Sequence, residues 1–194
     1  MSTRPATPGD TEAIRGLAAA AFGEAADGPV VRLLQALDAT GAVRASLVAT
    51  RGGDADEVVG HVQLNRCWVD ARERLVEVLV LSPLSVHPDH QGRGHGTGLL
   101  EAALAAAEDH GAPAVFLEGD WTFYGRRGFH AATPVGFLRP SARIPEPAFQ
   151  VRLLAAYEEW MRGPLVYCEA FWATDTVGLR DPHLAEVERR SAER

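Results

Sequence analysis

The longest apolar run of the chain, Leu75 to Val86, is interrupted only by Glu77, Ser82, Pro83 and Ser85, and it leads straight into a glycine-rich loop. A run this apolar suits a central strand buried on both faces. Pro83 cannot donate to a ladder, so pairing must bulge or stop there. After Val86-His87-Pro88-Asp89-His90 comes Gln91-Gly92-Arg93-Gly94-His95-Gly96-Thr97, and then an alanine- and leucine-rich helix from Gly96 to Asp109, closed by His110-Gly111. Gly92, Gly94 and Gly96 remove side chains that would hold a ligand away from the backbone. The new helix offers unpaired N–H groups and the positive end of its dipole. With Arg93 and His95 adding positive or hydrogen-bonding character, the segment reads as a cradle for an anion such as a diphosphate.

Spacing narrows the ligand. A nucleoside-triphosphate loop needs Gly-Lys-Ser/Thr after four intervening residues, and this loop has no Lys. A dinucleotide fingerprint needs an N-terminal βαβ unit and an acidic residue about 20 positions on. Here the loop sits mid-chain after an antiparallel-looking meander, and Glu118 meets the distance by chance. The formal charge of −7 comes without a basic stripe, which excludes a phosphate-neutralising nucleic-acid binder. An acidic surface favours instead the approach of a cationic small molecule such as an amine.

No apolar run reaches the ~18 residues of a membrane span, and Met1–Asp10 has no apolar signal region. Cys67 and Cys168 are far apart and leave two readings, a buried disulfide or two reduced thiols, the second being the expectation for a cytoplasmic protein. The 194 residues fit one domain.

Helical spacing of Ile14, Leu17, Ala18, Ala21 and Phe22 predicts a helix over 11–22, capped by Asp10 or Thr11. A second follows Gly28-Pro29, with Val30, Leu33, Leu34 and Leu37 on one face and Thr40-Gly41 as its stop. Strands are expected over Val43–Thr50, Val58–Trp68 and Leu75–Val86, with turns at Arg51-Gly52-Gly53-Asp54 and Val69-Asp70-Ala71-Arg72. Beyond the central helix, strands are expected at Ala114–Leu117, Phe129–Phe137, Phe149–Leu154 and Leu165–Phe171, with helices over 121–127 and 155–162. The last dozen residues are charged and expected to fray. The order is that of a mixed α/β (α+β) domain.

Gln91-Gly92-Arg93-Gly94-His95-Gly96 resembles the Gln/Arg-x-x-Gly-x-Gly/Ala acyl-CoA loop of the GNAT (GCN5-related N-acetyltransferase) superfamily. Leu84-Ser85-Val86-His87-Pro88 looks like that family's strand-and-turn entry, and Arg4-Pro5-Ala6-Thr7-Pro8-Gly9-Asp10 like a common opening of its members. Phe116-Leu117-Glu118-Gly119-Asp120 with Phe123-Tyr124-Gly125-Arg126-Arg127-Gly128-Phe129 resembles its strand and Tyr/Phe-x-x-x-Gly-Phe segment. Four segments in this order are similar to the YhbS-like branch of bacterial GNAT proteins. The resemblance spans roughly residues 3–155, implying an acyltransferase domain over 1–155 and a C-terminal extension, 156–194, packed on it.

The resemblance implies a mostly antiparallel sheet flanked by helices, with central strands splayed near Ser82-Pro83 into an acyl-CoA cleft. It implies acetyl-CoA as donor and no metal. The backbone of Leu84, Ser85 and Val86 would run along the pantetheine arm. The N–H groups from Gln91 through Gly92, Arg93, Gly94, His95 and Gly96 to Thr97 would hold the diphosphate. Acyl transfer to an amine of pKa ~10 needs a proton acceptor, and the leaving thiolate benefits from a donor. Tyr124 stands where family members commonly place that donor; the alternative is a ring packed on the sheet. Glu77, the one charged residue inside the apolar strand, is the candidate base if burial raises its pKa, with an exposed or Arg-paired carboxylate as the alternative. Asp120 binds the cationic amine, serves as a minor base, or caps residues 121–127.

His87, His90 and His95 lack a supporting Cys and read as loop histidines rather than a zinc site. Trp121, Trp160 and Trp172 with Phe123 are aromatics either for an acceptor pocket or for the core. No Cys is placed beside a His, which favours direct attack in a ternary complex over an acyl-enzyme. The expected reaction is acetyl transfer to a small-molecule primary amine. A protein acceptor (N-terminus or lysine) and a non-catalytic acyl-CoA sensor are the alternatives, and a nucleotide-binding module is disfavoured by the loop spacing. No nucleic acid or membrane partner is expected. The segment after Pro164 has three roles open to it: covering the cleft, pairing with a second copy in a homodimer, or capping the sheet.

Overall fold

Alternating burial along two neighbouring strands organises the molecule. The computed structural model of the chain describes residues 2–52 and 57–192. In chain order the elements are β1 (Ser2–Pro5), α1 (Thr11–Phe22), α2 (Pro29–Thr40), β2 (Val43–Arg51), β3 (Glu57–Asp70), β4 (Leu75–Val86), α3 (His95–Asp109), β5 (Ala114–Glu118), α4 (Trp121–Gly125), β6 (His130–Ala131), β7 (Phe149–Leu153), β8 (Leu165–Val166), α5 (Glu169–Ala173) and α6 (His183–Ala192). The sheet runs β1-β2-β3-β4-β5-β7-β6, with β8 on the far end of β3, and every pairing is antiparallel except β4 with β5.

On one face Leu79, Leu81, Val115 and Leu117 meet Leu99, Leu100, Ala103 and Ala107 of α3. On the other, Val78, Val80, Ala114 and Phe116 meet Leu33 and Leu37 of α2 and Ala170 and Phe171 of α5. Phe116 is wholly buried, edge-on to Phe137 at 4.9 Å and stacked on Phe149 at 5.9 Å. Truncating such a ring to Ala costs roughly 3–5 kcal/mol. A third apolar cluster ties Ile14 and Ala18 of α1 to Val31 and Leu34 of α2 and to Val48.

The parallel β4–β5 ladder is very short. Its register holds only Leu79 opposite Val115 and Val80 opposite Phe116, after which the two strands part. At the same place β4 carries an extra residue. Leu81 faces Leu64 and Leu84 faces Val62, so Ser82-Pro83 is a bulge, as the proline required. Buried Asn65 fixes it from β3, giving its Nδ2 to the carbonyls of Ser82 (2.6 Å) and Val80 (3.3 Å), while its Oδ1 accepts from Gln63 Nε2 at 2.9 Å.

Several expectations need correction. Phe129–Phe137 is not a long strand: only His130–Ala131 pairs, and Thr133–Val135 is a 3-10 turn begun by Pro134. Residues 155–162 form turns rather than a helix. Leu165–Phe171 splits into β8 and α5. The charged C-terminus forms α6 over His183–Ala192, and residues 193–194 lie outside the described residues. Of the turn at Arg51-Gly52-Gly53-Asp54, Arg51 ends β2, while Gly53 and Asp54 also lie outside them. Val69 and Asp70, read as turn, continue β3. Asp10 does not cap α1 through its side chain. Its carboxylate turns back to Thr7 N (2.7 Å) and to the Arg4 guanidinium (2.8 and 2.9 Å), which holds its pKa well below the usual carboxylate range.

Candidate active site

The parting of β4 from β5 opens a gap, and a cavity of about 1060 Å³ runs through it. Its floor is the bulge and the strand ends: Ser82, Pro83 and Leu84 on one side, Glu118 and Gly119 on the other. Tyr124 enters from the α3 face, where its ring lies edge-on to Phe123 (4.9 Å) and Phe129 (5.8 Å). Gly119 makes room for that ring, since a Cβ there would stand 2.5 Å from Tyr124 Cε2. Burial pushes the Tyr124 phenol up to about 12, with Arg127 opposing and nearby Asp120 adding to the rise. The phenol therefore keeps its proton at neutral pH. The ring is packed, as one of the two readings of the sequence had it, and Tyr124 also lines the cavity.

Beyond the gap, β4 continues to Val86 with its β5-side edge unmatched in the register, and the loop follows. Gly92 (φ 72°) and Gly94 (φ 87°) adopt the left-handed conformation that glycine alone takes cheaply. A Cβ added to either would project into open space above the loop, where an approaching ligand would lie. The first intrahelical bond of α3 runs from Gly98 N to Gly94 O at 3.0 Å, so the N–H groups of His95, Gly96 and Thr97 sit in the turn that helix geometry leaves open. Gln91 Nε2 bonds Val86 O at 3.1 Å and folds the loop onto the strand end. The residues thus fit a diphosphate bound to a linear arm, and the linear edge beside them is Leu84, Ser85 and Val86.

Arg127, which the sequence reading did not single out, locks this side. It donates to Thr97 Oγ1 through Nε (3.1 Å) and NH2 (2.7 Å) and to Phe123 O at 2.6 Å, with its guanidinium 3.8 Å over the Phe123 ring. A cation is thereby fixed beside the first turn of α3. Phe123 and Arg127 line a second groove, about 650 Å³, between α3 and α4.

Glu77 is not where a base is needed. It lies near the start of β4, before the strand pairs with β5, its side chain is 51% exposed, and it is bonded to Arg44 Nε at 3.1 Å. It is absent from the lining of the cavity. Asp120 caps α4, accepting from Thr122 N at 2.8 Å, and stands at the rim of both cavity and groove. Trp121 lines the cavity, while Trp160 packs under the Arg74 guanidinium at 4.4 Å. Among the described residues no cluster of His, Cys, Asp or Glu side chains is arranged to hold a metal. Cys67 and Cys168 are free and buried, with Cys168 N directed at Cys67 Sγ at 3.4 Å. No described helix is long and apolar enough to cross a membrane.

The residue that the sequence reading passed over is Glu118. It ends β5 on the face away from α3, and it is largely buried in the cavity wall. Tyr167 OH donates to its Oε1 at 2.8 Å and Gly178 N to its Oε2 at 3.0 Å. Burial pushes its pKa up to about 7, against the lowering effect of those two bonds and of Arg143. A carboxylate poised near neutrality inside a cavity suits proton transfer. Its only signal in the sequence was a charged residue ending an otherwise apolar strand. The segment that holds it is covalently remote. β8 pairs with β3 at Trp68–Val166 and Val69–Leu165, delivering Tyr167 to the core, and Arg143 O accepts from Leu179 N at 2.9 Å beside Gly178. Gly178 has φ 66°, and a Cβ there would meet the Arg143 backbone at 2.6 Å.

Comparison with known proteins places the fold and the family. The acetyltransferase (GNAT) domain family matches residues 2–132. The uncharacterized N-acetyltransferase YjhQ of Escherichia coli (strain K12) is 31% identical over 138 residues, 71% of this chain and 74% of that protein. Among solved structures, the GNAT family N-acetyltransferase YhbS from Escherichia coli, in complex with CoA, superposes with a TM-score of 0.77 at 27% identity, over 88% of this chain and 91% of that one. A GNAT family acetyltransferase from Brucella melitensis, in complex with acetyl-CoA, gives 0.69 at 28% identity, over 88% of this chain and 97% of that one.

Proposed function

The chain belongs to the GNAT acetyltransferase family, and from that premise we propose that it acetylates the primary amine of a small molecule by direct attack in a ternary complex. It is an acyl-CoA-dependent acetyltransferase with acetyl-CoA as donor. The finer reading rests on one observation. The cavity that meets the β4–β5 gap is walled by the end of α1 and the start of α2, the strand ends and the segment 167–179. A recess with walls on three sides supports a small acceptor over a polypeptide laid across a flat face.

When bound, acetyl-CoA supplies an acetyl group activated as a thioester. Leu84, Ser85 and Val86 line its arm, and the loop from Gln91 to Thr97 with α3 holds its diphosphate. Glu118 replaces Glu77 as proton acceptor. It takes one proton from the acceptor ammonium, freeing the lone pair that forms the C–N bond. Tyr124 gives its proton to the sulfur as the C–S bond breaks with its electron pair, and recovers one from the nitrogen. Glu118 then releases its proton to water. The balance is ammonium plus thioester to amide, thiol and one proton.

Calorimetric titration with acetyl-CoA, repeated on Gly94→Trp, tests the donor site. Micromolar binding lost in the variant supports it; equal binding by both proteins overturns the loop assignment. Turnover of lysine-bearing peptides in preference to every free amine would overturn the small-molecule acceptor.

A further inference from the structure

The charge pattern of the chamber is more specific than its size. Among the described residues, no Arg, Lys or His lines it. Four carboxylates are, but three stand at the rim and are engaged. Glu24 accepts from Val30 N at 3.0 Å, Asp120 caps α4, and exposed Asp175 is paired with Arg180 at 2.7 Å and Arg143 at 3.3 Å. Glu118 alone is interior, and Tyr167 OH and Gly178 N are neutral donors that leave each carboxylate oxygen a free lone pair. The rest of the wall on this side is apolar: Phe22 from the end of α1, Pro29, Val30 and Leu33 from the start of α2, and Phe171 from α5.

Resting on the acetyltransferase reading above, we propose that the chamber selects a primary amine borne on an apolar aliphatic or aromatic body with no second charge, its nitrogen received at Glu118. A single ammonium satisfies the single buried carboxylate. A second ammonium laid along Val30, Leu33 and Phe171 would be desolvated at a cost, and the other lining carboxylates, Glu24, Asp120 and Asp175, are already engaged. A carboxylate on the acceptor, as in an amino acid, would find no cation in the lining. Each methylene laid on the apolar wall adds affinity instead.

The test is direct calorimetric binding of amines to the intact protein at pH 8.5, where Glu118 is ionised and alkylamines are still protonated. Tyr167, from the C-terminal segment, and Arg143, from the loop before β7, act on Glu118, while Tyr124, Asp120 and Asp175 line the same cavity; burial holds the two phenols protonated at this pH. Across n-propylamine to n-hexylamine, affinity should climb about fourfold per methylene. 2-Phenylethylamine should bind more than about tenfold tighter than spermidine or phenylalanine, and Glu118→Gln should erase the gain of the amine over 2-phenylethanol. Phe22→Asp, at a position 48% exposed and so tolerant of change, should turn preference toward hexane-1,6-diamine. A flat alkyl series, or spermidine binding tighter than phenylethylamine, overturns the proposal. Absence of acetyl-CoA binding and of turnover would sink the acceptor reaction instead, while the binding series still decides what the chamber takes.

Discussion

On the α3 side of the β4–β5 gap, the groups argued to hold the donor come from one continuous stretch, Leu84 to Thr97. On the chamber side, the carboxylate argued to receive the acceptor is held by Tyr167 and Gly178, which lie 49 and 60 residues away in sequence. The first side is mostly local backbone, a bulge, two left-handed glycines and a helix start, braced by the side chains of Asn65 and Arg127. The second is tertiary side-chain structure, resting on an eight-strand sheet whose last strand returns to β3. A donor shared by many enzymes needs only the former. Choice among acceptors needs the latter, where a wall can change without disturbing the loop. The two sides should therefore fail separately.

The largest effect should be Gly94→Trp. A side chain at φ 87° is strained and would fill the space above the loop. Acetyl-CoA should weaken by roughly a hundredfold or more, ~2.7 kcal/mol. Amine binding in the chamber should be unchanged, and calorimetry with each ligand reads both. Equal loss of the two would break the comparison.

Next, Glu118→Gln should lower kcat/KM on the order of 10²–10⁴-fold with acetyl-CoA affinity kept. The sign of the pH dependence follows from its pKa. Glu118 must be ionised to accept a proton, so wild-type kcat/KM should fall tenfold per unit below about pH 7. The variant should lose that limb. An unchanged pH profile would remove Glu118 from proton transfer.

Tyr124→Phe should cost less, about ten- to a hundredfold in kcat, because a thiolate is already a fair leaving group and gains only part of the usual proton-transfer term. With its phenol pushed up to about 12, Tyr124 adds no alkaline limb below pH 10. Turnover unchanged by the substitution would leave Tyr124 a packing residue.

The same division explains what the sequence disclosed. The apolar run, its proline bulge, the glycine spacing and the α3 helix are short-range patterns, and they stood where the periodicity put them. Glu77 misled because a charge within an apolar strand reads as buried. β4 meets β5 only at Leu79 and Val80, however, and the earlier part of the strand lies beyond that cover, beside Arg44. Glu118, a charge ending an apolar strand, could not be assigned a role from that alone because its setting depends on Tyr167 and Gly178. The strand-like pattern of Leu165–Phe171 concealed that β8 is two residues long and that Tyr167 turns inward after it.

The finest test separates holding Glu118 from merely filling space. Tyr167 OH donates to Oε1 at 2.8 Å, a bond that favours the ionised carboxylate and so lowers its pKa. Tyr167→Phe keeps the ring against Phe171, 4.8 Å away, and removes only the donor. The buried oxygen loses a partner at a cost of about 1 kcal/mol in stability. Its pKa must then rise above about 7, so the acidic limb of kcat/KM should move to higher pH while the alkaline plateau stays. At pH 7 the variant should be several-fold slower by mass action on ionisation, and near pH 9 it should match wild type. A uniform loss at every pH would mean that Tyr167 only packs, and that the C-terminal segment shapes the chamber without tuning its base.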